Sequence, residues 1–319
     1  MKIVILGNTN NPVTGKAEDP YSWFVLTYRD GFLRNGHEVL LIDYRSNSLS
    51  NIKSKIASFK PNFVFTHLTF HNTTHSTKNT LELFRSLNKR FGTKFIHVCG
   101  DARTQDRYMG DISDYFYACL VNNYELLENG SKSWKVPTFY SPYSSLTYHN
   151  IAEPIQELKF KKPIFTGSPN AHPDRKQFIT LLEEYGCIKT FKTQSNNDLR
   201  NKTPELSSSA NSILGLCTGY DIEGFIDVRP WQYMGTGACF IGRKFKGMDN
   251  LIPDEFYYSF NGYTRNDAVF IKKLSMKLLK EDTWPMRCKA FRFMQQNHSS
   301  VIRMKNTLEV LEGKKERVI

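Results

Sequence analysis

Residues 62–100 contain NFVFTHL (62–68), TKNTLELFRSLNKRFG (77–92) and KFIHVCG (94–100). The two outer runs are short and rich in β-branched and aromatic residues, as strands are. In the middle run Leu81, Phe84, Leu87 and Phe91 recur at helical spacing, and Gly92 supplies a stop. Strand, helix, strand in that order is the βαβ unit, in which a crossover helix joins two parallel strands.

The same alternation, about every 30 residues, extends in both directions. Upstream lie KIVILG (2–7) and HEVLLIDY (37–44), separated by the helix-length YSWFVLTYRDGFLRNG. Downstream lie YFYACLVNN (115–123) and VPTFYSP (136–142). Near residues 150–162 the texture becomes charged and Pro-bounded, which reads as a connection between domains. A second series follows: strands PIFTGS (163–168), CIKTFKT (187–193), SILGLC (212–217), ACFIG (238–242) and FYYSF (256–260), with helices near 173–185, 229–236 and 266–280. The last 35 residues read as one long, basic, amphipathic stretch. The pattern predicts an α/β protein of two doubly wound Rossmann-like domains facing a cleft. Their expected limits are 1–160 and 161–285, with 286–319 a helix returning toward the first domain. A length of 319 residues fits two domains of roughly 150 each.

With 40% hydrophobic, 13% aromatic and 23% charged residues, the chain is neither disordered nor collagenous. Its 43 Lys+Arg against 31 Asp+Glu leave a net charge of +12, which favours polyanionic partners such as nucleic acid, an anionic surface or phosphorylated ligands. Residues 45–94 hold nine Lys/Arg and the single acid Glu82. Six widely spaced cysteines show no C-x-x-C and no zinc spacing, so reduced thiols are expected. No signal-peptide pattern and no apolar run near 18 residues is present, which points to a cytoplasmic protein without a transmembrane segment.

In open α/β sheets ligands bind beyond the C-terminal ends of strands. The loop after the first strand, GNTNNPVTGKAEDP (7–20), lacks both G-x-G-x-x-G and the Walker pattern, which weighs against a dehydrogenase or a P-loop NTPase. The strongest constellation is GLCTGYDIEGFIDVRPWQYMGTGACFIG (215–242). Arg229 and Pro230 open a short helix after a glycine- and acid-containing loop, and unpaired N–H groups beside a guanidinium favour a diphosphate. FTGSPNAHPDRKQF (165–178) is a second candidate, with Gly167, Ser168 and Arg175 around another helix start. His67, His71 and His75 are Thr- and Asn-flanked and follow a strand, so no metal site is expected there.

The order IFTGS…HPDR, DVRPWQYMGTGACFIG, FNGYTRNDAVFIKKL and QNHSSVIRMKNTLEVL resembles the nucleotide-sugar domain of GT-B glycosyltransferases. It is most similar to the group-1-like branch that includes spore-maturation-type glycosyltransferase proteins. The resemblance aligns Arg229 with the family arginine, Gly237 with its helix-ending glycine, and Gly167 and Arg175 with the early donor-domain Gly and Arg. Gln232 stands where the family commonly has a ribose-binding Glu, and an amide lacks the charge-assisted bond of a carboxylate.

The resemblance implies a metal-independent hexosyl- or pentosyltransferase with no resident cofactor, using a nucleotide-diphosphate sugar as co-substrate. The expected donor-binding set is Gly167, Ser168, Arg175, Arg229, Gln232 and Gly237. A base on a strand-end loop of the first half is expected, with Asp101 ranked ahead of Asp19 and His67. The family layout puts the acceptor in that half, where Lys53, Lys55, Lys89 and Arg90 make a basic face. The favoured acceptor is a hydroxymethylated base in DNA, as for bacteriophage enzymes of this fold acting in the host cytoplasm. The alternatives are a cell-surface glycan, anionic polymer or protein acceptor, and a non-catalytic nucleotide-sugar-binding protein.

Overall fold

The computed structural model describes residues 1–9, 23–67, 75–99, 106–146, 154–167, 173–192, 205–217 and 220–319. The chain forms two compact units, one of Met1–Leu146 with Ser300–Ile319 and one of Thr147–Ser299.

The first unit follows the order β1 (Lys2–Gly7), α1 (Trp23–Arg34), β2 (Glu38–Asp43), α2 (Leu49–Phe59), β3 (Phe63–Thr66), α3 (Thr77–Phe91), β4 (Lys94–Val98), α4 (Asp106–Ile112), β5 (Ala118–Val121), α5 (Tyr124–Ser133) and β6 (Thr138–Tyr140). Its six strands lie in the order β2-β1-β3-β4-β5-β6 and all pair in parallel. The order reverses between β1 and β3, which opens the crevice at the C-terminal ends of the strands where α/β sheets take ligands.

Alternation along β1 sends Val4 and Leu6 into one core and Ile3 and Ile5 into the other, so the sheet is buried on both faces. Leu81, Phe84 and Leu87 of α3 fill the first core, with Phe84 stacked on Phe95 at 4.2 Å between ring centroids. Phe91 continues the helical stripe in sequence but is 38% exposed, because the last turn of α3 projects past the edge of the sheet. Gly92 ends the helix in the left-handed conformation.

The second unit runs β7 (Ile164–Gly167), α6 (Pro173–Glu184), β8 (Lys189–Lys192), β9 (Ser212–Gly215), α7 (Val228–Gly235), β10 (Cys239–Arg243), β11 (Tyr257–Phe260), α8 (Arg265–Leu278) and α9 (Trp284–Asn297). Its five parallel strands are ordered β11-β10-β9-β7-β8, with the reversal between β7 and β9.

Both unit boundaries differ from the expected ones. Residues 154–163 belong to the second unit because Phe160 bridges to Ala210 and donates its N–H to Ser209. The C-terminal stretch is two helices, α9 and α10 (Ser300–Leu311). Buried Arg287 holds α9 in the second unit, where Nε donates to the Gly237 carbonyl at 2.6 Å and Nη1 to the Ile155 carbonyl at 3.0 Å. Only α10 joins the first unit. There the Ser300 N–H donates to the Ser145 carbonyl at 2.7 Å, and the Ser300 hydroxyl donates to Asp30 at 2.6 Å. Met304, Leu308 and Leu311 pack with Phe24, Tyr28 and Phe32 of α1.

Gly31 permits that docking, since a Cβ there would come within 2.3 Å of the Ser300 carbonyl oxygen and 2.5 Å of Met304 Cγ. Gly31→Ala is therefore expected to destabilise the protein by about 1–3 kcal/mol through overpacking, despite alanine's better helix propensity. Urea unfolding checks this, and a variant as stable as the parent would contradict the tight α1–α10 contact.

Candidate functional site

The C-terminal edge of the second sheet gathers cationic and aromatic side chains. Gly167 ends β7 with φ +139°, a backbone that side chains with a Cβ rarely adopt. Arg175 stands in the first turn of α6 and is only 5% exposed, and its Nε has no hydrogen-bond partner among the described residues. Burial, together with neighbouring Arg229, pulls its guanidinium below the ordinary range.

Arg229 stands at the start of α7, where Asp227 has two tasks. Its Oδ1 caps the helix by accepting the Arg229 N–H at 3.0 Å, and its carboxylate lies 3.3 Å from Arg229 Nη1. Burial is the largest influence on Arg229 and lowers its pKa, but Asp227 together with Cys217 and Tyr233 more than offsets it and holds the guanidinium above its usual range. Two guanidiniums close enough to perturb one another thus share the edge, and one of them is already matched by a carboxylate. Such an arrangement favours an added oxyanion, because a second counter-charge removes both the repulsion and the unmet donor.

Around this pair, the Tyr220 and Tyr263 hydroxyls bond to each other and to the Cys217 carbonyl. The Cys217 thiol, pushed up by burial, lies against Arg229. Arg243, at the end of β10, places its guanidinium 4.5 Å from the centroid of the Tyr220 ring. Tyr220, Tyr263 and Arg243 were missed as site residues in the sequence. Arg243 directly follows the strand run ACFIG and Tyr263 closely follows FYYSF, so strand-end position was the available signal.

The remaining expected donor residues divide. Gln232 is buried one turn beyond Arg229, on the same side of α7. Ser168 lies outside the described residues. Gly237 lies at the far end of α7, about 12 Å from Arg229 at 1.5 Å per residue. There its φ of +86° and the Pro154 side chain, 2.8 Å from where a Cβ would stand, account for the glycine structurally.

At the C-terminal edge of the first sheet, a small pocket is lined by Tyr28, His67, Asn122, Ser141, Tyr143 and Arg303, among others. His67, just past β3, lies 5.7 Å from the Phe24 ring. Arg303, delivered by α10, is 1% exposed, and burial lowers its guanidinium to about 10. Val98 and Cys99 also line this pocket. Asp101 and Asp19 themselves lie outside the described residues, as does His71. His75 Nε2 is 2.7 Å from the Asn47 carbonyl oxygen.

The four basic residues expected to face an acceptor do not form one face. Lys53 and Lys55 are exposed about midway along α2, and Lys55 reaches back toward the helix start to donate to Asn47 at 2.7 Å. Lys89 and Arg90 occupy the last turn of α3, which leads into the start of β4, so they lie at the edge of the sheet opposite the pocket. All six cysteines are buried and none is in a disulfide. Among the described residues, no cluster of His, Cys, Asp or Glu suits a metal ion, and no helix is long and apolar enough to cross a membrane.

Solved structures match this architecture over nearly its whole length. An α-glucosyltransferase in complex with UDP-glucose and DNA containing an abasic site has a TM-score of 0.66 and 13% identity, covering 98% of this chain and 99% of that one. The chain has the GT-B fold. Sucrose-phosphate synthase from Thermosynechococcus elongatus has a TM-score of 0.60 at 12% identity, covering 98% of this chain and 100% of that one. HepE of Anabaena, in complex with UDP and glucose, has a TM-score of 0.56 at 12% identity, with coverage of 98% and 100%. No protein-family model and no curated protein sequence matches the chain.

If Arg175 is held in place for an anion, Arg175→Met should leave the ligand-free protein as stable as the parent or more so. The same change should weaken inorganic pyrophosphate binding at least tenfold, about 1.4 kcal/mol. Calorimetric titration and thermal unfolding read the two effects, and undiminished pyrophosphate affinity would refute the assignment.

A second expectation concerns His97 in β4, lowered to about 3 by burial and then by neighbouring His67. The unfolded chain binds this proton near the ordinary value of 6.5, so stability should fall as pH drops from about 6.5 toward 3. The slope is up to about 1.4 kcal/mol per pH unit. His97→Leu should flatten that part of the stability profile, and an unchanged profile would contradict the neutral buried state.

Proposed function

We propose that the protein transfers a sugar from a nucleotide-diphosphate sugar to an acceptor hydroxyl. The observation that carries this reading is the pairing of Arg175 with Arg229 at the ligand edge of the second sheet, with one Asp227 between helix cap and guanidinium. The departing diphosphate gains negative charge as the glycosidic bond breaks. Two guanidiniums and the N–H groups at the start of α7 stabilise that charge without reorganising. This is a metal-independent way to support the leaving group, and it needs no resident cofactor. Gln232, one turn further on, is assigned to the nucleotide's ribose, where it donates or accepts a hydrogen bond as an uncharged group.

The acceptor is assigned to the pocket of the first unit that includes His67 and Arg303. His67 and the strand-end residue Asp101 are the candidates for taking the acceptor proton, with Asp19 a third. A hydroxymethylated base in DNA is the acceptor we favour. The net charge of +12 and exposed Lys53 and Lys55 on α2 support a polyanion, and one structural neighbour was solved with DNA.

Transfer of labelled sugar from a panel of nucleotide sugars to hydroxymethylated duplex DNA, unmodified duplex and teichoic-type polymer tests the reading. The expected result is salt-sensitive labelling of the modified duplex, reduced at least 100-fold in Arg229→Ala. Labelling of the polymer alone would move the acceptor to the cell surface. Binding without transfer to any acceptor would favour a non-catalytic nucleotide-sugar-binding protein.

A further inference from the structure

The edge of the first sheet opposite the ligand pocket carries a second basic surface with aromatic rings set into it. Its backbone is one connected row. The Asn62 N–H donates to the Lys2 carbonyl at 2.8 Å, and the Lys94 N–H donates to the Asn62 carbonyl at 3.4 Å. Tyr117 joins the row by donating its N–H to the Phe95 carbonyl at 2.7 Å. Lys94 Nζ lies 4.2 Å from the centroid of the Tyr117 ring and 5.5 Å from that of Phe63. Lys2 Nζ lies 5.3 Å from the Phe59 ring. The last turns of α2 and α3 bring Lys60 and Arg90 to the same edge, with the Arg90 guanidinium 5.1 Å from the Phe91 ring. Phe91 and Tyr117 are 38% and 40% exposed.

Helix-end lysines and arginines are often explained by the helix dipole alone. That explanation does not cover Lys60. It caps α2 in the left-handed conformation, φ +54°, the only described non-glycine residue with positive φ, whereas α3 uses Gly92 at the equivalent position. A lysine there costs about 1 kcal/mol relative to a glycine. The helix end alone therefore does not account for a lysine at this position. Exposed flat rings do not neutralise a dipole either, but they do stack on bases.

We propose that this edge is a docking surface for single-stranded nucleic acid, separate from the donor and acceptor sites. Phosphates meet Lys60, Arg90 and Lys94, and unpaired bases stack on Phe91 and Tyr117. The charge complementarity and the alternation of cations with exposed rings fix the class of partner. The inference does not depend on the glycosyltransfer reading, since it uses none of the residues assigned to donor or acceptor catalysis. It does give Arg90 a different task from contact with the reacting hydroxyl.

The experiment is fluorescence anisotropy with a labelled oligothymidylate of about 15 nucleotides, measured between about 50 and 200 mM salt. The parent protein is expected to bind with a steep salt dependence. Lys60→Gly combined with Lys94→Gln should weaken binding about tenfold and reduce the slope of log affinity against log salt by about 1.4, roughly 0.7 for each cation removed. Tyr117→Ala should weaken binding with little change in slope, because it removes stacking and not charge. Thermal unfolding of each variant reports whether the first unit is intact, and that of Lys60→Gly is expected to be no lower than that of the parent.

The proposal is overturned if the parent does not bind the oligonucleotide at low salt, or if the Lys60/Lys94 variant keeps the parental slope. It is also overturned if Tyr117→Ala binds as tightly as the parent while dextran sulfate competes equally, which would mean a generic polyanion surface. Loss of sugar transfer with oligonucleotide binding intact would count against the glycosyltransferase reading only.

Discussion

A buried guanidinium beside a half-buried one needs a counter-charge, and the second unit is arranged around that constraint, with Arg175 buried and Arg229 partly exposed. Arg175 and Arg229 come from different helices, yet the Arg229 charge adds to burial in raising the cost of keeping Arg175 charged. Asp227 settles half of the problem by capping α7 and binding Arg229 with the same carboxylate. Among the described residues, Arg175 Nε has no hydrogen-bond partner. Evolution toward stability alone would replace such a residue with an apolar one of similar volume, since buried cations are weak contributors to folding. Its presence argues for a ligand that completes the site.

The surrounding architecture serves to hold those two helix starts still. Parallel strands ending at a common edge bring α6 and α7 to the ligand side, and the Thr166 hydroxyl bonds the Tyr233 hydroxyl at 3.3 Å to tie α7 to β7. At its other end α7 is pinned by Gly237, whose carbonyl is gripped by Arg287. The helix is therefore anchored at both ends by buried polar contacts, and the arginine it carries is pre-positioned. In the first unit the same sheet geometry opens a pocket, and the returning helix α10 contributes its deepest cation.

Much of this was legible in the chain because local patterns and global fold agree. The strand runs match with ends shifted by a few residues, and the helix starts expected at Pro173 and near Arg229 coincide with those of α6 and α7. What periodicity and motif could not show was contact between residues distant in sequence. Gly237 reads as a ligand-facing glycine until Pro154 is seen packed against it. The C-terminal stretch reads as one helix until Arg287 anchors its first half and Ser300 its second. Lys89 and Arg90 are a different kind of case. Charge counting grouped them with Lys53 and Lys55, although a helix's last turn before a parallel strand must lie at the sheet edge away from the ligand, a deduction that topology alone allowed.

The central claim, that the arginine pair holds the donor's diphosphate, is tested most directly by a crystal structure of the protein with UDP. The account predicts a diphosphate oxygen within hydrogen-bond distance, about 3 Å, of Arg175 Nε and another on Arg229, with Asp227 still capping α7. A diphosphate bound elsewhere, with Arg175 Nε still lacking an oxyanion partner, would contradict it.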